Sequence, residues 1–344
     1  MTRLERLQAR LEEPFLVTFG VNVLYLTGFD SSNAALLIEP DRVRLYTDFR
    51  YAEAAQDVPG VEFEPAKRNL FADLAERLEG RIAFEAHAVT YAAYETLAGG
   101  GLDLVPRRGV VEELRAVKDE DELELIRRAG RITSDAFERL SQEPFRGRTE
   151  RELAWRLEQL FHELGADAAA FPTIVAAGPN GATPHAHARD EPVPEGTTVV
   201  IDAACSVGGY CSDCTRTFST GELPGELRSA YELCLEAQEA GLDAVRDGVA
   251  GRDADAAARR IIEDGGHGEE FGHGLGHGLG LLVHEAPRLS QESEDVLAAD
   301  NVVTVEPGIY LPGVGGIRIE DLVVVRDDGA EVLTPFTKQL VVVD

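Results

Sequence analysis

Glu270–Pro287 reads EFGHGLGHGLGLLVHEAP, with His273, His277 and His284 set among five glycines. A packed helix does not tolerate that glycine density, because each interior Gly costs about 1 kcal/mol against Ala. A strand gains little from Gly either. Propensity therefore does not account for the segment. Glycines that let backbone approach closely, and histidines that serve a metal centre, do account for it. Such a centre needs further ligands, and the search moves to carboxylates elsewhere in the chain.

The chain has 344 residues, more than one hydrophobic core usually serves, so two domains are expected. No apolar run approaches the roughly 18–20 residues of a membrane span. The start, MTRLERLQARLEEP, is charged and has no apolar signal region, which points to the cytoplasm. The net charge of −29 repels phosphate backbones and anionic lipid, which argues against nucleic-acid or membrane partners. Cys211 and Cys214 form a solitary C-x-x-C that opens no helix, so these thiols, with Cys205 and Cys234, read as packing residues.

Residues 14–112 alternate short apolar runs with helical patterns, the signature of an α/β layer. Strands are expected at Phe15–Phe19, Ala35–Ile38, Val43–Thr47, Ile82–Phe84 and Leu102–Val105, with helices at Phe49–Gln56, Leu70–Leu78 and Tyr91–Leu97. The pattern changes near residues 112–118. From there VKDEDELELIRRAGRITSDAFERL has a helical period, with acids crowding its first turns. A second helix follows, with Thr149 and Glu152 as a capping box. Strands then dominate (173–177, 197–203, 212–219, 302–306, 316–325, 339–343), interrupted by helices over 227–247 and 252–263. The division is 1–115 for an N-terminal α/β domain and 116–344 for an α+β domain.

Asp202 lies in the strand TTVVIDAAC and Asp213 in CSDCTRTF, with SVGGY between them as a hairpin turn. A fold axis between Val207 and Gly208 sets the two aspartates opposite one another or nearly so, about 4.5–5.5 Å apart at Cβ. Like charges so opposed are destabilising unless a cation lies between them. Glu306, ending NVVTVE, and Glu320, in GGIRIED, repeat the construction about an axis on Gly313. Four carboxylates and one imidazole make an oxygen-rich site for two divalent cations, with manganese, cobalt or iron favoured over structural zinc. His185 and His187 lie in the turn-rich GPNGATPHAHARD, and Arg318 sits one pleat from Glu320.

These motifs resemble the proline-specific peptidases of the creatinase/methionine-aminopeptidase (pita-bread) superfamily, the prolidases and aminopeptidase P. The resemblance rests on Ile201-Asp202, Ser212–Thr217, Gly276–Gly280, Val305–Tyr310 and Arg318–Asp321 in the family order, with Pro184-His185 and Val283-His284-Glu285. It is close over the catalytic half, whereas the N-terminal half matches only in length and α/β pattern. It implies a pita-bread catalytic domain behind a smaller creatinase-like α/β domain. It also implies that Asp202, Asp213, His277, Glu306 and Glu320 hold two metals, commonly Mn²⁺ or Co²⁺, with Asp213 and Glu320 bridging. The implied reaction is attack of an activated water on the Xaa-Pro bond of dipeptides or short peptides. In it Glu306 shuttles a proton, His185 and His284 stabilise the intermediate and steer substrate, and His273 lines the pocket. Arg318 supports Glu320 or the substrate, and Arg288 meets a substrate carboxylate. A homodimer is the implied assembly. Ala204 departs from the family's frequent D-x-G, a change of one methyl group.

Two other readings remain from the sequence. One is a different small-molecule hydrolase or lyase on the same fold, including metal-free creatinase-like enzymes, which lose the ligands kept here. The other is a non-catalytic binding module, which typically loses the ligand set as well.

Overall fold

The computed structural model describes all residues, 1–344, and divides into two compact units, Met1–Arg115 and Ala116–Asp344. The first unit runs α1 (Arg3–Gln8), β1 (Phe15–Val17), α2 (Gly20–Thr27), β2 (Ala34–Ile38), β3 (Val43–Thr47), α3 (Ala52–Gln56), β4 (Glu62–Pro65), α4 (Leu70–Arg77), β5 (Arg81–Glu85), α5 (Tyr91–Gly99), β6 (Asp103–Arg107) and α6 (Glu112–Ala116, which ends at the unit boundary). Its six strands form one mixed sheet in the order β4-β3-β2-β1-β5-β6. The β1–β2 and β2–β3 pairs are antiparallel, the first joined through α2 and the second a hairpin, and the β3–β4, β1–β5 and β5–β6 pairs are parallel. Leu16, Leu37 and Ile82 of the sheet meet Leu74 of α4 and Leu97 of α5 in its core. The sequence reading missed α1, α2, β4 and α6. In β4 (EFEP) every residue keeps some exposure, so no buried apolar run marked it.

The second unit opens with α7 (Glu120–Ser141), α8 (Glu150–Glu163), β7 (Ala168–Ala169), β8 (Ile174–Ala177), β9 (Thr198–Ala203), β10 (Cys205–Val207), β11 (Tyr210–Cys211) and β12 (Cys214–Ser219). It continues with α9 (Gly225–Ala244), α10 (Gly251–Asp264), β13 (Gly276–Gly278), β14 (Glu285–Leu289), β15 (Val302–Val305), β16 (Gly308–Leu311), β17 (Gly315–Arg318), β18 (Asp321–Arg326) and β19 (Gly329–Val332). Asp119 with Glu122 and Thr149 with Glu152 form complete capping boxes on α7 and α8. Each helix pair covers its own strands. Phe137, Leu153 and Phe161 pack on Val175, Ile201 and Phe218, while Leu227, Ala237 and Ile262 pack on Val305, Ile309 and Ile317. The unit is therefore α+β, with two cores of similar construction.

Three expectations change. The residues 316–325 are two strands, broken at Ile319-Glu320, where the chain leaves the β16–β17 hairpin for the β15–β18 ladder. The terminal run 339–343 is not a strand and makes only an isolated bridge, Val342 with Ser219. The glycines of Glu270–Pro287 do admit close approach, but to neighbouring strands. A Cβ on Gly276 would overlap the Thr304 carbonyl, and one on Gly278 the Ala286 carbonyl.

Candidate metal centre

The first hairpin turns at Gly208-Gly209, with φ of 58° and 84°. A two-residue hairpin turn with φ > 0 at both central positions selects glycine at both, and a turn centred on Val207-Gly208 would force Val207 into that region. The ladder is therefore shifted by two residues from the expected one. Thr215, not Asp213, stands opposite Asp202, and Asp213 follows on the diagonal, on the same face. The second hairpin keeps the expected axis, since Gly308 pairs with Arg318 and Val305 with Asp321 about Gly313.

The two hairpins join through Thr215. The Glu320 amide donates to the Thr215 carbonyl at 3.1 Å. The Thr215 hydroxyl donates to Glu320 Oε2 at 2.8 Å and accepts from Arg318 Nε at 3.0 Å. Arg318 is buried and spends its remaining bonds on Asp202 Oδ2 (2.7 Å), Tyr310 Oη (2.8 Å) and the Pro184 carbonyl (3.2 Å). Of the two roles expected for Arg318, these contacts describe support of the carboxylates rather than contact with substrate.

Ligand-capable oxygens of Asp202, Asp213 and Glu320 lie within 4.8 Å of one another. Oδ1 of Asp202 and Oδ1 of Asp213 are buried and accept no hydrogen bond. An orphaned buried carboxylate oxygen is costly, so two side by side mark a place built for a cation. The titration behaviour agrees. Burial pushes the Asp213 and Glu320 carboxyls well above the usual range, and the neighbouring carboxylates push the same way. Asp202 is also raised by burial, against the pull of Arg318.

His277 and Glu306 adjoin this cluster. His277 Nε2 lies 3.2 Å from Glu306 Oε1 and 3.9 Å from Asp213 Oδ2. Its Nδ1 lies 3.1 Å from the Gly278 carbonyl, which only accepts, so Nδ1 carries a hydrogen and Nε2 faces the acids. In the metal-free protein, burial pulls His277 down, but the hydrogen bond and charge of Glu306 hold it above the ordinary histidine value. Burial likewise raises Glu306, and His277 outweighs it, leaving Glu306 at about 2. With Nδ1 committed to the Gly278 carbonyl, Nε2 is the His277 atom that would bind a metal. The donors present, four carboxylates and one imidazole, fit hard divalent cations.

The other expected residues are placed as follows. Both ring nitrogens of His273 are engaged, Nδ1 with the Gly274 carbonyl at 2.8 Å and Nε2 with Tyr310 Oη at 2.9 Å. Burial pushes the Tyr310 phenol up to about 12, so it keeps its hydrogen and donates it to His273. His284 is exposed, with its ring 4.4 Å from that of His277; burial and then the His277 charge lower its pKa. His185 is exposed on its loop, and Arg288, also exposed, stands opposite His277 in the β13–β14 ladder. His185 and Arg288 are both close enough to act on the charge of His284. Sequence reasoning missed Thr215, Tyr310 and Thr304, whose hydroxyl donates to Glu306 Oε1 at 3.0 Å. The Gly208-Gly209 turn was the signal that would have found Thr215.

A buried oxygen-rich donor set, assembled from two hairpins of an α+β unit and joined by one imidazole, is the centre of a divalent-metal enzyme. Comparison with known proteins gives the family. Residues 124–327 match metallopeptidase family M24, and residues 3–117 match the creatinase/prolidase N-terminal domain. The chain belongs to metallopeptidase family M24, with the pita-bread fold of its catalytic domain. It is 37% identical to the uncharacterized peptidase YqhT of Bacillus subtilis over 334 residues, 95% of each chain. An Xaa-Pro dipeptidase structure from Bacillus anthracis superposes with a TM-score of 0.95 at 35% identity, covering 99% of both chains. An X-Pro aminopeptidase structure from Thermotoga maritima gives 0.90 at 36% identity, covering 99% of this chain and all of that one.

Proposed function

We propose that this chain is a metallopeptidase hydrolysing the Xaa-Pro bond at the N-terminus of dipeptides or short peptides. The observation that carries the reading is the Asp202–Asp213–Glu320 cluster with its two unpartnered oxygens. Asp202, Asp213, His277, Glu306 and Glu320 would hold two divalent cations, and the oxygen-rich set favours Mn²⁺ or Co²⁺. When bound, such a pair lowers the pKa of a water and polarises the scissile carbonyl.

The protein's own part follows from its contacts. Glu306 accepts and returns a proton at Oε1, where Thr304 orients it. His284, lowered in pKa and exposed at the rim, is a neutral donor at neutral pH and acts with His185 on the developing oxyanion. His273 gives substrate its ring surface, since its nitrogens are committed to Gly274 and Tyr310. Arg318 holds Asp202 and, through Thr215, Glu320. Arg288 is placed to receive a substrate carboxylate, so Arg288→Ala raises KM for dipeptides more than for longer peptides.

The net charge of −29 supports a reading without nucleic-acid or anionic-membrane partners, and no helix is long and apolar enough to cross a membrane. We take the enzyme to be a cytoplasmic homodimer, which sedimentation tests. The deciding experiment is a length series on protein reloaded with Mn²⁺ or Co²⁺, comparing Xaa-Pro, Xaa-Pro-Yaa and longer peptides. Cleavage of the dipeptide alone defines a dipeptidase, and cleavage of the longer ones an aminopeptidase. If every proline peptide stays intact, the reading is wrong.

A further inference from the structure

His185 carries no hydrogen bond of its own and lies exposed on the loop between β8 and β9, so its place is inherited from the loop backbone. That loop is gripped from one point. Glu150, the first residue of α8, is 4% exposed. Its Oε1 accepts from the Ala177 amide at 2.7 Å. Its Oε2 accepts from the Arg189 amide at 2.7 Å and from Asn180 Nδ2 at 2.8 Å. Asn180 Nδ2 also donates to the His187 carbonyl at 3.1 Å. The gripped positions run from 177 to 189 and bracket His185.

We propose that Glu150 is a positioning residue for His185, holding the loop that presents this histidine to the metal centre. The inference rests on the catalytic reading of His185 given above.

A carboxylate suits the task in a way that a neutral side chain does not. It accepts on both oxygens and presents no hydrogen, so three N–H donors converge on it without conflict. No basic side chain pairs with it. Its charge is met instead by those donors and by the N-terminus of α8, whose dipole favours an anion there. The loop's far side is fixed independently by Arg318, which donates to the Pro184 carbonyl. His185 is thus held between the Arg318 network and Glu150. The second half of the unit grips its histidine segment differently, through an ion pair. Asp255 of α10 accepts from the Leu275 amide at 2.9 Å and pairs with Arg259, which donates to the His273 carbonyl at 2.6 Å. A Gln at 150 has the shape of Glu but turns an NH₂ towards N–H donors, which loosens the loop without opening a cavity.

The test uses the full-length, metal-loaded enzyme and an Xaa-Pro peptide that the wild type cleaves. Glu150→Gln is expected to lower kcat/KM by up to about 100-fold, the scale of a small misplacement of a catalytic group. Its metal stoichiometry and affinity stay those of the wild type, and the amides of Ala177 and Arg189 exchange hydrogen faster. In a His185→Ala background the same change costs nothing further. Losses that multiply in the double variant overturn the proposal, and so do unchanged exchange or lost metal. If Glu150→Gln does not fold, Asn180→Ala, which removes one of the three donors, carries the same comparisons. Should His185→Ala alone leave turnover intact, the catalytic reading of His185 fails instead. Amide exchange still reads the grip of Glu150 directly.

Discussion

Thr215 stands opposite Asp202 in the first hairpin, and its hydroxyl donates to Glu320 of the second. One small side chain therefore couples the two carboxylate hairpins. Thr215→Val keeps the β-branched shape but leaves Arg318 Nε without an acceptor and Glu320 Oε2 without a donor. Residues that bond to metal-holding side chains typically contribute 10–100-fold to metal affinity. A loss of about that size is expected in competition with a chromophoric chelator, with far-UV circular dichroism unchanged. Wild-type affinity in the variant would show that the link is dispensable.

The carboxyls at the centre also set a pH dependence. Burial, then like charge, raises Asp213 and Glu320, so in the metal-free fold they hold protons that the unfolded chain has already released. The folded state binds more protons there, so these groups make metal-free stability fall as pH rises through the window above ordinary carboxylate values. Metal binding at the proposed ligands would expel the same protons, so affinity is expected to rise with pH. Calorimetry in buffers of different ionisation enthalpy should register proton release on Mn²⁺ binding, and none would contradict the assignment.

Neutralising one acid separates stability from function. Asp213→Asn removes a carboxyl that burial and its neighbours oblige the metal-free fold to keep protonated, so above the ordinary carboxylate range the metal-free variant melts higher than the metal-free wild type. Each kcal/mol relieved moves the transition by about 2–4 °C for a unit of this size. Stabilisation by added metal disappears, and peptidase activity falls by more than the roughly 10–100-fold expected for a residue that only supports a ligand. Retained activity would remove Asp213 from the centre.

How far the sequence showed this centre depends on what kind of information each part needed. The register about Gly313 was legible, because a glycine in the middle of a three-residue turn fixes the axis and the apolar runs on either side fix the faces. The register about Gly208-Gly209 was missed by two residues, because apolar alternation with a period of two is satisfied equally by either ladder. Only the backbone requirement for φ > 0 at both turn positions separates them. Tyr310 was missed for another reason, since its bond to His273 joins residues far apart in the chain and no local pattern encodes it. Thr304 stands two residues before Glu306, so its bond was open to a local reading.

The glycines of the opening stretch provide an internal contrast. Ala at 276 or 278 would press into a neighbouring carbonyl, whereas Ala at 272 meets nothing within 4 Å. Overpacking of this kind typically costs 1–3 kcal/mol, more where backbone must move. Urea unfolding should show Gly276→Ala and Gly278→Ala destabilised by at least about that amount and Gly272→Ala near wild type. Equal effects at all three would mean that chain entropy, not strand approach, governs the motif.

Behind Glu320 lies a cation that never reaches the site. Arg216 is 2% exposed, and Nη2 donates to Asp321 Oδ1 at 2.7 Å and to the Thr334 and Phe336 carbonyls at 3.1 and 2.6 Å. Nε reaches the Thr337 carbonyl at 2.9 Å, and Nη1 reaches the carbonyls of Thr215 and Glu320. Asp321 is held in turn by Lys338 and Gln238. The guanidinium thus ties the strand carrying Thr215, the main chain of Glu320 and the segment 334–337 at one point. Lysine keeps the charge but has a single nitrogen and no planar fork, so it cannot satisfy acceptors on three sides. Arg216→Lys leaves Asp321 and several buried carbonyls short of donors. Breaking a buried, hydrogen-bonded charge in this way typically costs about 3–5 kcal/mol. The expected result is a lower urea midpoint for the catalytic unit, with weaker metal binding following from a displaced Glu320. Stability near wild type in the variant would mean that water or a neighbouring side chain replaces the lost donors.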